Sequence, residues 1–114
     1  MKELLLMGLF LGNMVVTSYR STPKQCKPTG YKYTSIGERC NVHGVAASQD
    51  LLLSGKVHYG DLVYIESVGF KFVNDTMHPR MKEHFDVWVQ GYEDEKAFDA
   101  KFHGKTLRVW VIKI

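Results

Sequence analysis

The stretch Leu62-Val63-Tyr64-Ile65-Glu66-Ser67-Val68-Gly69-Phe70-Lys71-Phe72-Val73-Asn74 decides the fold class. Two runs rich in β-branched and aromatic residues flank Ser67-Val68-Gly69, a short connection ending in glycine, so the whole reads as an antiparallel hairpin. Gly60-Asp61 supplies the turn that leads into it. Further on, Phe85 to Val89 reads as the next strand. Its alternation places Phe85, Val87 and Val89 on one face, with Asp86 and Trp88 on the other. Tyr92 to Phe102 then reads as a short helix whose Glu93, Asp94 and Glu95 suit its positive end. Thr106 to Ile112 closes the sequence as a strand, alternating Leu107, Val109 and Val111 against Arg108, Trp110 and Ile112.

Upstream of the hairpin the signals are weaker. Met14 to Tyr19 is β-prone and reads as a first strand. Residues 20–41 hold Pro23, Pro28, Gly30 and Gly37 and read as a long loop, a feature that in a small domain more often carries function than not. Val42 to Ala47 reads as a short strand and Gln49 to Leu53 as a helical turn. Six short strands with one or two minor helices favour a closed, mainly β barrel over a sandwich. No internal repeat and no low-complexity tract interrupts this pattern.

The chain has 114 residues, 45% of them hydrophobic, which suits one domain with one core. Its formal charge of +3 comes from 15 Lys and Arg against 12 Asp and Glu. The most basic segment, Arg20 to Arg39, is broken by Pro, Gly, Thr and Tyr. It reads as a solvated loop rather than a surface for nucleic acid or another polyanion.

Residues 1–14 form a separate question. Leu4-Leu5-Leu6-Met7-Gly8-Leu9-Phe10-Leu11 is too short to span a bilayer. It reads either as the apolar part of a signal peptide cut near Gly12 to Val16, or as an N-terminal extension packed on a domain covering 15–114. Cys26 and Cys40 leave three readings open: two free thiols, a disulfide, or a metal site completed by His43. A disulfide would close a loop of about 15 residues and contribute roughly 3 kcal/mol. The metal reading lacks the tight Cys-x-x-Cys hook of structural zinc sites, so no metal is expected.

The chemistry-bearing residues cluster late. Asp75 sits at the end of one strand and Asp86 within the next, eleven positions on. If those strands are neighbours, both carboxylates reach one cleft. A second carboxylate raises the proton affinity of the first, which is how a general acid survives at neutral pH. In Asn74-Asp75-Thr76 the Asp75 side chain also suits fixing a turn. His78 and His84 read as ordinary loop or surface histidines, with binding of sugar hydroxyls or a metal as the alternative. No nucleophile elbow, phosphate-cradling glycine loop or His-Glu-x-x-His pattern is present, so acid–base work on an oxygen leaving group is the favoured chemistry.

From about Val15 to Ile114 the chain resembles the three-aspartate domain family, whose members resemble the catalytic barrel of the membrane-bound lytic transglycosylase A family. The residues that carry the resemblance are Val16-Thr17-Ser18-Tyr19, Gly60-Asp61-Leu62-Val63-Tyr64-Ile65, Asn74-Asp75-Thr76 and His84-Phe85-Asp86-Val87. Tyr92-Glu93, Ala97-Phe98 and Leu107-Arg108-Val109-Trp110-Val111 follow in the same order. Met77-His78-Pro79-Arg80-Met81-Lys82 stands where the family has a Gly-Gly-Ala-Ile-Lys-Gly-like segment. Asp50 is the nearest candidate for the third aspartate.

The resemblance implies a six-stranded double-psi β-barrel and cleavage of peptidoglycan without water. Asp86 would be the general acid and base, with Asp75 supporting it. Thr17, Tyr19, Thr76, His78, Lys82 and His84 would contact the glycan strand. It implies no cofactor, no nucleic acid partner and no transmembrane segment, and a location in the cell envelope, periplasmic or secreted, of a bacterium or a phage lysis system. The alternatives kept beside it are a non-catalytic wall-binding module and a glycosidase that uses water.

Overall fold

A computed structural model describes residues 8–22, 30 and 32–112. In chain order the elements are β1 (Gly8–Tyr19), β2 (Gly44–Ala47), α1 (Gln49–Leu53), β3 (Leu62–Ile65) and β4 (Gly69–Thr76). They continue with β5 (His84–Trp88), α2 (Tyr92–Phe102) and β6 (Thr106–Ile112). The six strands close into a barrel in the order β1-β5-β2-β4-β3-β6. Exchanging β1 for β4, β2 for β5 and β3 for β6 returns the same cyclic order. The two parallel pairs, β1–β5 and β2–β4, exchange with it. This internal two-fold of strand order, without any repeat in sequence, is the double-psi β-barrel. Closure leaves no strand edge to cover.

The barrel interior is filled by alternate residues from every strand, among them Val45, Val63, Ile65, Val73, Phe85, Val109 and Val111, each 0% exposed. Such side chains contribute about 1.5–3 kcal/mol apiece when fully buried. Leu51 of α1 and Phe102 of α2 plug the same core from outside the strands. The hairpin read from Leu62 to Asn74 is β3 paired antiparallel with β4, and Ser67 (φ 67°) and Gly69 (φ 115°) make its turn.

Two features depart from simple alternation. β1 begins at Gly8, six residues before Met14, and pairs with β6 along Gly8 to Val15. A register shift between Phe10 and Gly12, with Gly12 at φ 127°, breaks its period, which is why this part of the strand reads as an undifferentiated apolar run. The second shift lies between β2 and β4. Val45 pairs with Val73 but Ala46 pairs with Asp75, so Asn74 is an extra residue in β4. Strict alternation would have put Asp75 on the core side with Val73; the bulge turns it to the other face. Gly44 accommodates the bulge, since a Cβ there would lie 2.4 Å from the Asn74 amide nitrogen.

β4 and β5 are not neighbours, contrary to the condition set for bringing Asp75 and Asp86 together. β2 lies between them, and Ala46 pairs with Asp75 on one side and with Asp86 on the other.

Candidate active site

One row of paired residues runs across four strands: Thr17 of β1, Asp86 of β5, Ala46 of β2 and Asp75 of β4. Directly paired residues share a face, and here it is the face opposite the core-facing Phe85, Val45 and Val73. Two strand spacings separate the backbones of Asp75 and Asp86, about 10 Å. Under the exchange of halves, Asp86 falls on Ala46 and Thr17 on Asp75, so the acid occurs on one half only.

Asp86 is partly buried and accepts a hydrogen bond from the Thr17 hydroxyl, Oγ1 to Oδ1 2.9 Å. The same Oγ1 lies 2.7 Å from His84 Nε2. Burial pushes the Asp86 carboxyl up to about 7. The Thr17 hydrogen bond opposes that rise, while the charges of Asp75, Glu95 and Asp99 add to it. Glu95 and Asp99 project from α2, which Arg20 ties to the end of β1 through a 3.2 Å ion pair with Glu95.

Asp75 is held from three directions. Tyr19 donates its hydroxyl to Oδ2 at 2.9 Å. Ser35 donates both its backbone N–H, at 3.0 Å, and its hydroxyl, at 2.6 Å, to Oδ1, and Thr76 N–H reaches the same oxygen at 2.9 Å. Tyr19 stands on β1 and Asp75 on β4, with β5 and β2 between them, so the tyrosine side chain must cross the row to make its bond. Ala46, between the two aspartates in that row, is 2% exposed. Burial, then the Asp75 charge, drives the Tyr19 phenol far above its ordinary range, so it remains a donor. The turn-fixing and acid-supporting readings of Asp75 are therefore compatible, because the bonds to Ser35 anchor part of the 32–40 segment beside the carboxylates.

His84 is buried, 6% exposed, and its backbone is clamped by Ser48: Ser48 N–H donates to His84 O at 2.9 Å, and His84 N–H to Ser48 Oγ at 3.1 Å. Burial lowers its affinity for a second proton. Asp50 sits outside the row. Its carboxylate accepts the backbone N–H of Glu83 at 3.1 and 3.4 Å, so it shapes the entry to β5. Burial acts to raise the Asp50 carboxyl, but hydrogen bonds from Ser48 and from the Glu83 and Leu51 backbone more than offset it and leave it low.

Thr76 donates its hydroxyl to Ala47 O at 2.9 Å, bracing β4 on β2. His78 Nδ1 accepts Arg80 N–H within an exposed loop, and Lys82 is exposed on the same loop. Of the eight residues read as catalytic or glycan-contacting, five fall into two hydrogen-bonded groups on the same face, Thr17 with Asp86 and His84, and Tyr19 with Asp75, coupled through the charge of Asp75 on Asp86. Thr76 adjoins Asp75, and His78 and Lys82 lie on the loop between the two aspartates. Ser35, Glu95 and Asp99 were not anticipated. Ser35 has no local pattern, and the two acids look like ordinary surface charges of a helix.

Cys40 is 8% exposed, and Cys26, its suggested partner, lies outside the described residues. Among the described residues no group of three His, Cys, Asp or Glu is placed to hold a metal ion, and no helix is long and apolar enough to cross a membrane. No family model matches the chain, and no curated protein matches it.

Proposed function

We propose that the protein is a peptidoglycan lytic transglycosylase in which Asp86 serves as both acid and base. The observation that carries this reading is a carboxyl hydrogen-bonded by Thr17 and pushed up to about 7 by its burial, in one row of the barrel with a second carboxylate. Asp86 would give its proton to the glycosidic oxygen as the bond from C1 of N-acetylmuramic acid to the next N-acetylglucosamine breaks. The resulting carboxylate would take the proton of the muramic acid O6 hydroxyl as O6 bonds to C1, leaving a 1,6-anhydro end and restoring the acid. No water is consumed, and the nucleophile is held by the substrate itself. Asp75 supports the cycle by raising the proton affinity of Asp86 and by opposing the positive charge that develops at C1.

The test is mass spectrometry of peptidoglycan digested by wild type and by Asp86→Asn. Anhydro-muropeptides from wild type, reduced about 10²–10⁴-fold in the variant, are the expected result. Reducing ends carrying one added water would replace transglycosylation by hydrolysis.

A second reading, a wall-binding module without catalysis, is favoured by one observation. Phe10, Trp110, Tyr64 and Phe70 pair in register across β1, β6, β3 and β4, with successive ring centroids 5.3, 5.9 and 4.9 Å apart. Partly exposed aromatic rows of this kind suit stacking against apolar sugar faces. Equal pelleting of both proteins with sacculi and no soluble product from either would favour this reading.

A further inference from the structure

We infer that His84 is a positioning residue: acting through the Thr17 hydroxyl, it confines the exchangeable proton of Asp86 to Oδ2. The inference rests on the reading of Asp86 as the acid of this site and deepens it, since it says which atom would hand the proton over.

The argument is one of counting hydrogens. Thr17 Oγ1 carries one proton and contacts two groups, His84 Nε2 at 2.7 Å and Asp86 Oδ1 at 2.9 Å. An ionised carboxylate can only accept, so the threonine proton points to Asp86. The short contact to His84 is then a hydrogen bond only if Nε2 carries hydrogen. The ionised state therefore requires the Nε2–H tautomer, with the chain running Nε2–H to Oγ1, then Oγ1–H to Oδ1.

A proton arriving at Asp86 has two destinations. At Oδ1 it would either weaken the acceptor that Thr17 donates to or, pointing at Thr17, reverse both hydrogen bonds and move the His84 hydrogen to Nδ1. At Oδ2, which has no hydrogen-bond partner among the described residues, it disturbs nothing. The ring is buried, and its backbone is fixed by Ser48 at both N–H and C=O and by Asp50 at Glu83 just before it. The titratable groups facing Asp86 are Asp75 from β4, Glu95 and Asp99 from α2, and Tyr19 from β1. The Tyr19 proton is committed to Asp75. None of them competes with Thr17 for Oδ1.

The test uses the intact chain. Nitrogen NMR of the His84 ring, taken above and below the Asp86 titration, is expected to show hydrogen on Nε2 throughout. Hydrogen on Nδ1, or a tautomer change as Asp86 takes its proton, would overturn the inference. Carbon NMR of the Asp86 carboxyl adds a second readout. Thr17→Val should raise its titration midpoint by about 1–2 pH units, the equivalent of one hydrogen bond to a charged group. His84→Leu should raise it by about half as much, because an unpolarised hydroxyl is a weaker donor. His84→Gln, which restores an N–H donor, should return it close to wild type. His84→Leu titrating like wild type, or His84→Gln failing to rescue a shift, would also overturn it. Should His84→Leu not fold, the tautomer and the other two variants decide the matter. A protein that releases nothing from peptidoglycan would end the catalytic reading while leaving these titrations to be read, so the two failures are distinct.

Discussion

Asp75 and Asp86 lie in one row of the barrel with a single residue, Ala46, between them. Their coupling is electrostatic and passes across β2, while Tyr19 bonds to Asp75. The arrangement has consequences for stability that can be measured without any substrate.

Asp86 should make the protein less stable as pH rises. Its folded carboxyl holds a proton up to about 7, whereas the ordinary carboxyl releases it near 3.8. Between those values the folded state binds a proton that the unfolded state has lost, so unfolding becomes easier with rising pH. The interval bounds the effect at about 4 kcal/mol. Asp86→Asn should match wild type in urea unfolding at pH 4 and exceed it by roughly 1–4 kcal/mol at pH 8. A difference independent of pH would contradict the assigned environment.

Ala46 should be coupled to Tyr19. A leucine at 46, on the face across which Tyr19 reaches Asp75, is expected to crowd the tyrosine ring, and overpacking of this kind costs about 1–3 kcal/mol. In Tyr19→Ala the obstruction is gone, and the same leucine should cost at least about 1 kcal/mol less. Urea unfolding of the two single variants, the double variant and wild type measures the coupling. Additive effects would mean that the tyrosine ring does not lie over Ala46.

Glu83 should be a place where glycine stabilises. It adopts φ 46°, a left-handed conformation that costs a residue with a side chain about 1 kcal/mol, and Asp50 holds it there. Glu83→Gly should raise unfolding stability by up to about 1 kcal/mol, while Asp50→Ala should lower it by a similar amount. Destabilisation by both variants would show that the Glu83 side chain contributes more than its backbone geometry costs.

The legible parts of this molecule are those specified locally. α2 and β6 begin and end where turn residues and alternation place them, Tyr92–Phe102 and Thr106–Ile112. The β3–β4 hairpin follows from its own glycine turn. What escaped was set by partners distant in sequence. Whether β4 touches β5 depends on where β2 inserts, and nothing within either strand encodes that. The bulge at Asn74 became visible only through its register against Ala46, and with it the reason that Asp75 faces the site. Ser35 reaches Asp75 across forty residues of separation, from a segment with no periodicity to read.

The internal two-fold of strand order also makes the identity of the first strand arbitrary. Gly8 of β1 and Ile112 of β6 are antiparallel partners, just as Ile65 of β3 and Gly69 of β4 are. The ends of the described barrel therefore stand one hairpin turn apart. A circular permutant that joins Ile112 to Gly8 through a short glycine-containing linker and opens the chain at the exposed Ser67 should keep all six ladders, including the row that holds Asp75, Ala46, Asp86 and Thr17. Circular dichroism and cooperative urea unfolding of the permutant would establish it. A barrel that folds from either starting point is organised by the pairing of its two halves, and the direction in which they are read along the chain is incidental.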